Sequence, residues 1–184
     1  MNFRFPACAP ATGRAVLLSV LSFSAAVPAR ALEWRAGAEA TVLQVRIAGE
    51  RFEPAGVRLR LAAAPSPEWE IGVLAGAGVA DDTEATVTAA LESQWAGYVR
   101  YSASLDGDSR LALTVGYGET SLDVTSRVPG MPGASSYSGI VYGLSLQERL
   151  SRHPRWTGEL DVERWYDDAG LRIDSVSYGF RRAF

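Results

Sequence analysis

The sequence is poor in the residues that cross-link small secreted proteins or hold metal ions. It contains one cysteine, Cys8, one histidine, His153, and no lysine among its 18 basic residues. Removal of a 31-residue leader would leave 184 − 31 = 153 residues without cysteine, which excludes disulfides and thiolate metal sites there. The leader holds three arginines and no acid, so the remaining charge is 15 − 21 = −6. No basic run indicates nucleic-acid binding.

Residues 1–31 have the features of a secretory signal peptide. Arg4 and Arg14 make a positive start, residues 15–27 are apolar, and an Ala-Arg-Ala triplet then supplies a cleavage pattern. The apolar stretch is shorter than the roughly 20 residues of a transmembrane helix. We therefore predict that this leader is cleaved and that residues 32–184 form one domain.

The rest of the chain is predicted to consist of short strands separated by turns. The best helical candidate, Thr83 to Glu92, is weakened by its β-branched residues. Most of the strands approach the roughly 9–11 residues of a tilted membrane-spanning strand and exceed the length usual in soluble sheets. The predicted strands are 34–47, 55–63, 69–79, 94–105, 110–121, 137–149, 156–166 and 172–184.

Apolar and polar residues alternate along these strands. In the second strand Val57, Leu59 and Leu61 alternate with Arg58 and Arg60. Such alternation predicts that one face meets an apolar phase and the other a polar one. In a soluble barrel the apolar face would point inward, whereas in a membrane barrel it would face lipid. The alternation itself does not choose between these two interpretations.

Glycine placement favours the membrane interpretation. A solvent-facing strand surface gains nothing from repeated glycine, whereas the interior of an eight-stranded barrel barely admits side chains. Small residues beside arginine and glutamate would let the long charged side chains fit. The glycines on the polar face are Gly72, Gly76, Gly78, Gly116, Gly118, Gly139, Gly143 and Gly179.

Aromatic residues are predicted to sort to the two ends of the barrel. Trp34, Trp69 and Trp156 each open an odd-numbered strand, and Phe184 closes the last one, so these four would share one membrane interface. Trp95, Tyr117 and Tyr166 fall at the opposite strand ends. Tight turns are expected near 65–67, 106–108 and 151–154, and longer connections near 80–93 and 122–136.

The last predicted strand carries a specific pattern. Val176, Tyr178, Phe180 and Phe184 occupy one face, and only Arg182 interrupts it. This arrangement resembles the C-terminal signature of bacterial outer-membrane β-barrel proteins, which the barrel-assembly machinery reads in those families.

The resemblance implies a fold and a location for residues 32–184. They would form an all-β, eight-stranded, antiparallel up-and-down transmembrane β-barrel similar to the OmpA-domain, OmpX and opacity proteins. The protein would be a monomer in the bacterial outer membrane. Its contacts would be outer-membrane lipid, lipopolysaccharide and the barrel-assembly machinery, without a cofactor. The implied role is non-enzymatic: structural, adhesive or surface-interacting, with at most a narrow pore.

Charged residues on the polar faces form the one chemical constellation. In a narrow lumen they must be paired or hydrated, because isolated buried charges cost several kcal/mol each. They would either fill the interior as a polar core, which we favour, or rearrange to gate a pore. The set is Arg58, Arg60 and Arg100 with Glu39, Glu70, Glu159, Asp161 and Glu163.

Two alternatives stay open. A soluble periplasmic barrel, lipocalin-like, would bind a small apolar ligand with the two faces reversed. An outer-membrane lipid-modifying enzyme would need a histidine beside a serine at the outer rim. His153 is predicted in a periplasmic turn, next to Pro154, on the wrong side for that chemistry.

Overall fold

The computed structural model describes residues 32–47, 49–84, 87–126, 134–168 and 170–184. The predicted signal peptide lies outside these residues, so its cleavage stays a prediction. None of the described residues belongs to a helix of the length and hydropathy that crossing a membrane requires.

Eight antiparallel strands form a closed barrel, which confirms the predicted fold. The barrel strands are β1 (Glu33–Ile47), β3 (Ala55–Ala64), β4 (Trp69–Ala80), β6 (Val87–Ser104), β7 (Ser109–Ser126), β8 (Ser135–Arg149), β9 (Trp156–Asp168) and β10 (Leu171–Ala183). Two short strands, β2 (Glu50–Phe52) and β5 (Asp82–Glu84), pair with β1 and β6. The barrel closes between β1 and β10, whose paired residues run from Arg35 opposite Ala183 to Ile47 opposite Leu171. Closure leaves the barrel without a free edge.

The alternating residues point as a membrane barrel requires. On β3, Leu59 is 66% exposed, whereas its neighbour Arg58 is fully buried. The outer surface carries a continuous apolar belt from Trp34 to Val42 on β1 and from Val176 onward on β10. This burial excludes the lipocalin-like alternative, because that alternative needs the apolar face inside.

One end of the barrel has only short connections, at residues 65–68, 105–108 and 150–155. In the middle one the Asp106 carboxylate accepts backbone hydrogen bonds from Ser109 at 2.8 Å and Asp108 at 3.2 Å. The Ser109 bond is the main reason why the pKa of the Asp106 carboxyl lies below its ordinary value. The first strand begins and the last strand ends at this end. We call it the periplasmic end, because outer-membrane barrels have their short turns there.

The opposite end differs from the prediction. The strands extend into both predicted connections: residues 82–84 form β5 and residues 87–93 begin β6 in the first, whereas residues 122–126 end β7 and residues 135–136 begin β8 in the second. The reason is tertiary packing. Val87, Ala89 and Leu91 of β6 alternate into the interior, where Leu122 and Val124 of the paired strand β7 are also buried. Burial of these apolar side chains stabilises the strand extensions.

The interior has two layers. Near the periplasmic half it is polar and charged, and toward the extracellular half it is apolar. We call the second region the apolar layer; it consists of Leu43, Val45, Phe52, Val87, Ala89, Leu91, Leu122, Val124, Trp165 and Ile173.

The apolar belt generates a depth-dependent prediction. Val73 is exposed near the middle of β4, and Val79 is exposed near its extracellular end. An arginine at the bilayer midplane costs about 2–4 kcal/mol, but only about 0–1 kcal/mol near the interface. We expect Val73→Arg to destabilise the barrel by the larger amount and Val79→Arg by the smaller, measured by urea unfolding in lipid vesicles. Equal stability of both variants and the unaltered protein would contradict the belt.

Candidate functional site

The charged interior is the candidate functional site, and the barrel walls bring its members together. They are inward-facing because each lies on the polar face of its strand. We call this set the charge network: Glu39 on β1, Arg58 and Arg60 on β3, Glu70 on β4, Arg100 on β6, Glu159, Asp161 and Glu163 on β9, and Arg181 on β10. All nine side chains are buried.

Arg58 joins two walls of the barrel. Its Nη2 lies 2.7 Å from Glu39 Oε2, and its Nη1 lies 2.7 Å from Glu163 Oε2. Arg60 lies beside it, with Nε 2.8 Å from Glu39 Oε1 and Nη2 3.4 Å from Glu163 Oε1. Two guanidiniums therefore share two carboxylates, so neither carboxylate depends on a single partner.

Arg100 and Arg181 make a second group. Arg100 contacts Glu159 through Nη1 and Asp161 Oδ1 through Nη2 at 2.9 Å. Arg181 Nη1 lies 2.7 Å from Glu70 Oε1, and its Nε lies 2.5 Å from Glu159 Oε2. Glu159 links the two arginines, and Arg60 Nη2, 3.6 Å from Asp161 Oδ2, links this group to the first.

Sequence reasoning did not assign Arg181 or Tyr98 to this site. Arg181 lies on the same face as Ser177 and Gly179, which was a usable signal. The Tyr98 hydroxyl donates to Glu70 Oε1 at 2.9 Å, and its ring centroid lies 5.0 Å from the Arg60 guanidinium and 5.5 Å from that of Arg100. A buried tyrosine thus provides both a hydrogen bond and a cation–π surface.

Glycines on neighbouring strands make room for the long side chains. A Cβ atom on Gly76 would lie 2.8 Å from Arg58 Cγ, and one on Gly143 would lie 2.7 Å from Glu163 Cγ. A Cβ atom on Gly179 would lie 2.7 Å from Glu39 Cγ. Each glycine is the direct cross-strand neighbour of the charged residue that it accommodates.

The charges of this interior nearly balance. The charge network holds four arginines and five carboxylates, and Arg35, which lies 3.2 Å from Glu70 at the periplasmic rim, adds a fifth guanidinium. Glu39, Glu159 and Asp161 each place one oxygen within 4.8 Å of the others. Since all four arginines of the network already contact these three carboxylates, the arrangement suits ion pairing rather than a metal ion.

Most of the predicted interface aromatics lie on the outer surface. Trp34, Trp69 and Trp156 are exposed at the periplasmic end, where the Phe184 amide donates to the Trp34 carbonyl at 2.9 Å. Trp95 and Tyr117 are exposed at the extracellular end of the belt.

Tyr166 departs from this pattern because of a β-bulge. The register between β9 and β10 shifts at Ile173/Asp174, where Trp165 is the additional residue. Trp165 points into the interior and donates to Ser175 Oγ at 3.1 Å. The shift turns Tyr166 partly inward, and its ring packs on Tyr137 with the centroids 5.4 Å apart.

The residues predicted as an assembly signal share one surface. Val176, Tyr178, Phe180 and Phe184 all point outward on and after β10. Arg182, which interrupts the pattern, places its guanidinium 5.9 Å from the Trp156 ring and 5.0 Å from the Phe184 ring. Its charge therefore lies at the aromatic periplasmic rim and not at the centre of the belt.

Loss of one partner from the charge network is expected to cost more than loss of an exposed pair. Arg58→Ala leaves Glu39 and Glu163 short of a buried partner, which costs about 3–5 kcal/mol. Arg51→Ala, which breaks the half-exposed pair with Glu53, should change stability by less than about 1 kcal/mol. The free energy of unfolding in vesicles measures both. Equal effects of the two substitutions would show that the network does not stabilise the barrel.

Comparison with solved structures identifies proteins of the same fold. Ail, the attachment invasion locus protein of Yersinia pestis, solved with the heparin analogue sucrose octasulfate, has a TM-score of 0.61 and 15% identity over 83% of this chain and 99% of that one. Neisserial surface protein A has a TM-score of 0.61 and 12% identity, over 82% of this chain and 97% of that one. The N-terminal β-barrel domain of Pseudomonas aeruginosa OprF has a TM-score of 0.50 and 11% identity, over 79% of this chain and 96% of that one.

No protein-family model and no curated protein sequence matches this chain. The likeness is therefore one of fold. The chain folds as an eight-stranded barrel of the small outer-membrane type.

Proposed function

We propose that this protein is an integral outer-membrane barrel that acts through its extracellular surface, in a structural or adhesive role, and neither conducts solutes freely nor catalyses a reaction. The belt of exposed apolar side chains supports the membrane placement, because water does not favour so large an apolar surface.

The filled interior carries the proposal. The charge network spans the lumen from wall to wall, since Arg58 on β3 bonds Glu163 on β9 and Arg100 on β6 bonds Asp161 on β9. The apolar layer lies above it, where Phe52, Leu43 and Leu122 are buried. An ion would have to break buried ion pairs and then cross a layer lined by apolar side chains.

The extracellular end offers a surface for interaction. β6 begins at Val87 and β7 ends at Ser126, so both strands extend past the last residues of the belt. The short strands β2 and β5 lie at the same end. Acidic residues outnumber the four arginines in the described part of this end. These acids are Glu50, Glu53, Asp81, Asp82, Glu84, Glu92, Glu119, Asp123, Asp167, Asp168 and Asp174.

This charge distinguishes the surface from one that binds a sulfated polymer. Ail was solved with a heparin analogue, which is a polyanion. The acidic end of the present chain would repel such a ligand, so we propose a neutral or cationic adhesion partner.

The proposal of a non-enzymatic role is supported by the position of His153. It is exposed in the turn 150–155, at the same end as Trp34 and Phe184. A lipid-modifying enzyme would need it at the extracellular rim. Lipopolysaccharide and other outer-membrane lipid are proposed to surround the belt, the barrel-assembly machinery is proposed to read Val176, Tyr178, Phe180 and Phe184, and the protein is proposed to be a monomer.

Planar-bilayer recording tests the filled interior. We expect the folded protein to give no current steps of the size of a general porin, because the charge network and the apolar layer both cross the lumen. A general porin inserted under the same conditions is the positive control. Frequent large steps from the folded barrel would overturn the proposal of a closed interior.

Cell adhesion tests the surface role. In cells that display the barrel, we expect Glu50→Gln, Glu53→Gln and Glu84→Gln together to reduce attachment to a cationic surface. The matched control neutralises three acids at the periplasmic end, Asp106→Asn, Asp108→Asn and Glu148→Gln. Attachment that is equal for all three proteins would favour a purely structural role.

A further inference from the structure

Three arginines lie side by side on the outer surface at the extracellular end of the barrel. Arg46 on β1 is directly opposite Arg51 on β2 and, on its other side, directly opposite Arg172 on β10. We call Arg51, Arg46 and Arg172 the arginine ladder. Residues opposite each other in antiparallel strands have Cα atoms about 4.5–5.5 Å apart, so the three side chains leave the sheet as neighbours.

The central member of the ladder has no counter-ion among the residues that the structure describes. Arg51 pairs with Glu53, and Arg172 Nε lies 2.7 Å from Asp174 Oδ2. Among the described residues Arg46 makes no ion pair and no side-chain hydrogen bond, although it is exposed between two other guanidiniums. Like charges directly opposite each other destabilise a sheet. The arrangement is therefore unfavourable unless an anion lies against it.

A fourth arginine and one carboxylate orient the neighbouring guanidinium. Asp174 accepts from Arg172 Nε through Oδ2 and from Arg164 Nε through Oδ1 at 2.8 Å. Arg172 is thus held through Nε, and its terminal nitrogens make no hydrogen bond to the described residues, so they can donate to a ligand. A guanidinium fixed in this way presents a planar fork that fits the oxygens of a phosphate.

The ladder lies just beyond the apolar belt. Arg46 is two outward-facing positions past Val42, and Arg172 is two past Val176, the last apolar residues of the belt on their strands. Four residues cover about 13 Å along a strand and less along the membrane normal, because the strands tilt. Arginine side chains at this height reach the headgroup region.

The opposite side of the barrel has the reverse charge. Beyond the belt on β6 and β7, the charged residues that are exposed or partly exposed are Glu92, Glu119 and Asp123, and Trp95 is opposite Glu119. An anionic headgroup would therefore be attracted to the β2–β1–β10 side and repelled from the β6–β7 side.

We propose that the arginine ladder binds the phosphate group of an outer-leaflet lipid, with Arg46 as its central ligand. The proposal rests on the membrane placement given above and names the lipid contact of that surface. A compact headgroup phosphate fits because it can lie between Arg46 and Arg172, whereas an extended polyanion would also meet Glu53 and Asp174.

The test compares lipid binding by Arg46→Gln and the unaltered protein. A fluorescent bisphosphorylated glycolipid is titrated into each protein, folded in neutral detergent micelles. One arginine near a membrane surface contributes about 1 kcal/mol, so the variant should bind about five-fold more weakly. Arg152→Gln, the same change in a periplasmic turn, is the control and should bind normally. The dephosphorylated glycolipid and inorganic phosphate should bind neither protein tightly.

Stability gives a second readout with opposite signs. In phosphocholine vesicles, Arg46→Gln should be as stable as the unaltered protein or more so, since it relieves repulsion within the ladder. In vesicles that contain the bisphosphorylated glycolipid, the unaltered protein should be the more stable of the two. Arg46→Lys, which keeps the charge without the fork, should lie between them.

The outcomes separate this inference from the proposed function. If the unaltered protein fails to fold in vesicles, with the same mobility on gels before and after heating, the membrane placement fails and the inference fails with it. If it folds but Arg46→Gln binds the phosphorylated glycolipid equally well, the inference alone is overturned. Equal binding of the dephosphorylated glycolipid would also overturn it, because the phosphate would then not be recognised.

Discussion

The pairing of buried arginines with buried carboxylates is the constraint on which this barrel depends. An eight-stranded barrel has an interior just wide enough for side chains. The chain places four arginines and five carboxylates there. A single arginine, Arg58, already contacts two carboxylates on two other strands, Glu39 and Glu163. Such pairs are tolerated only when the partners are complete and well placed. Glycines such as Gly76 and Gly143 follow from this need, because a Cβ atom at either position would collide with the neighbouring charged side chain.

The same constraint decides what faces outward. With the polar face of every strand used to build the interior, the apolar face is left outside, as Leu59 beside Arg58 illustrates. In water this surface would be costly, but in lipid it is the favoured one. The membrane therefore supplies the apolar phase that a core supplies in a soluble protein. Beyond the apolar belt the interior becomes apolar, and Phe52, Leu91 and Leu122 form a core like that of a soluble protein.

The two ends of the barrel differ in strand length, aromatic content and charge. The periplasmic end has tight turns, aromatic residues such as Trp34 and Phe184, and an arginine, Arg182, beside aromatic rings. The extracellular end has longer strands, an excess of acids and one basic strip formed by the arginine ladder. Since the interior is filled, we propose that interaction with lipid or with another surface takes place on the outside of the extracellular end. The contrast between its acidic side and its basic side would also orient the barrel with respect to anionic headgroups.

The sequence by itself determined the fold class, the two faces of each strand and the ends at which most aromatics lie. These properties follow from a period of two along the chain, which is visible locally in runs such as Val57 to Leu61. It did not determine the extensions of β6 and β7, because these depend on the burial of Val87 and Leu91 beside β7. It also missed Tyr98, and it missed the bulge that turns Tyr166 inward. Only the tertiary structure decided which charges meet, since Arg58 and Glu163 are 105 residues apart, and which arginines stand opposite Arg46. Both depend on the strand register and on closure of the barrel, which are fixed by contacts between distant residues.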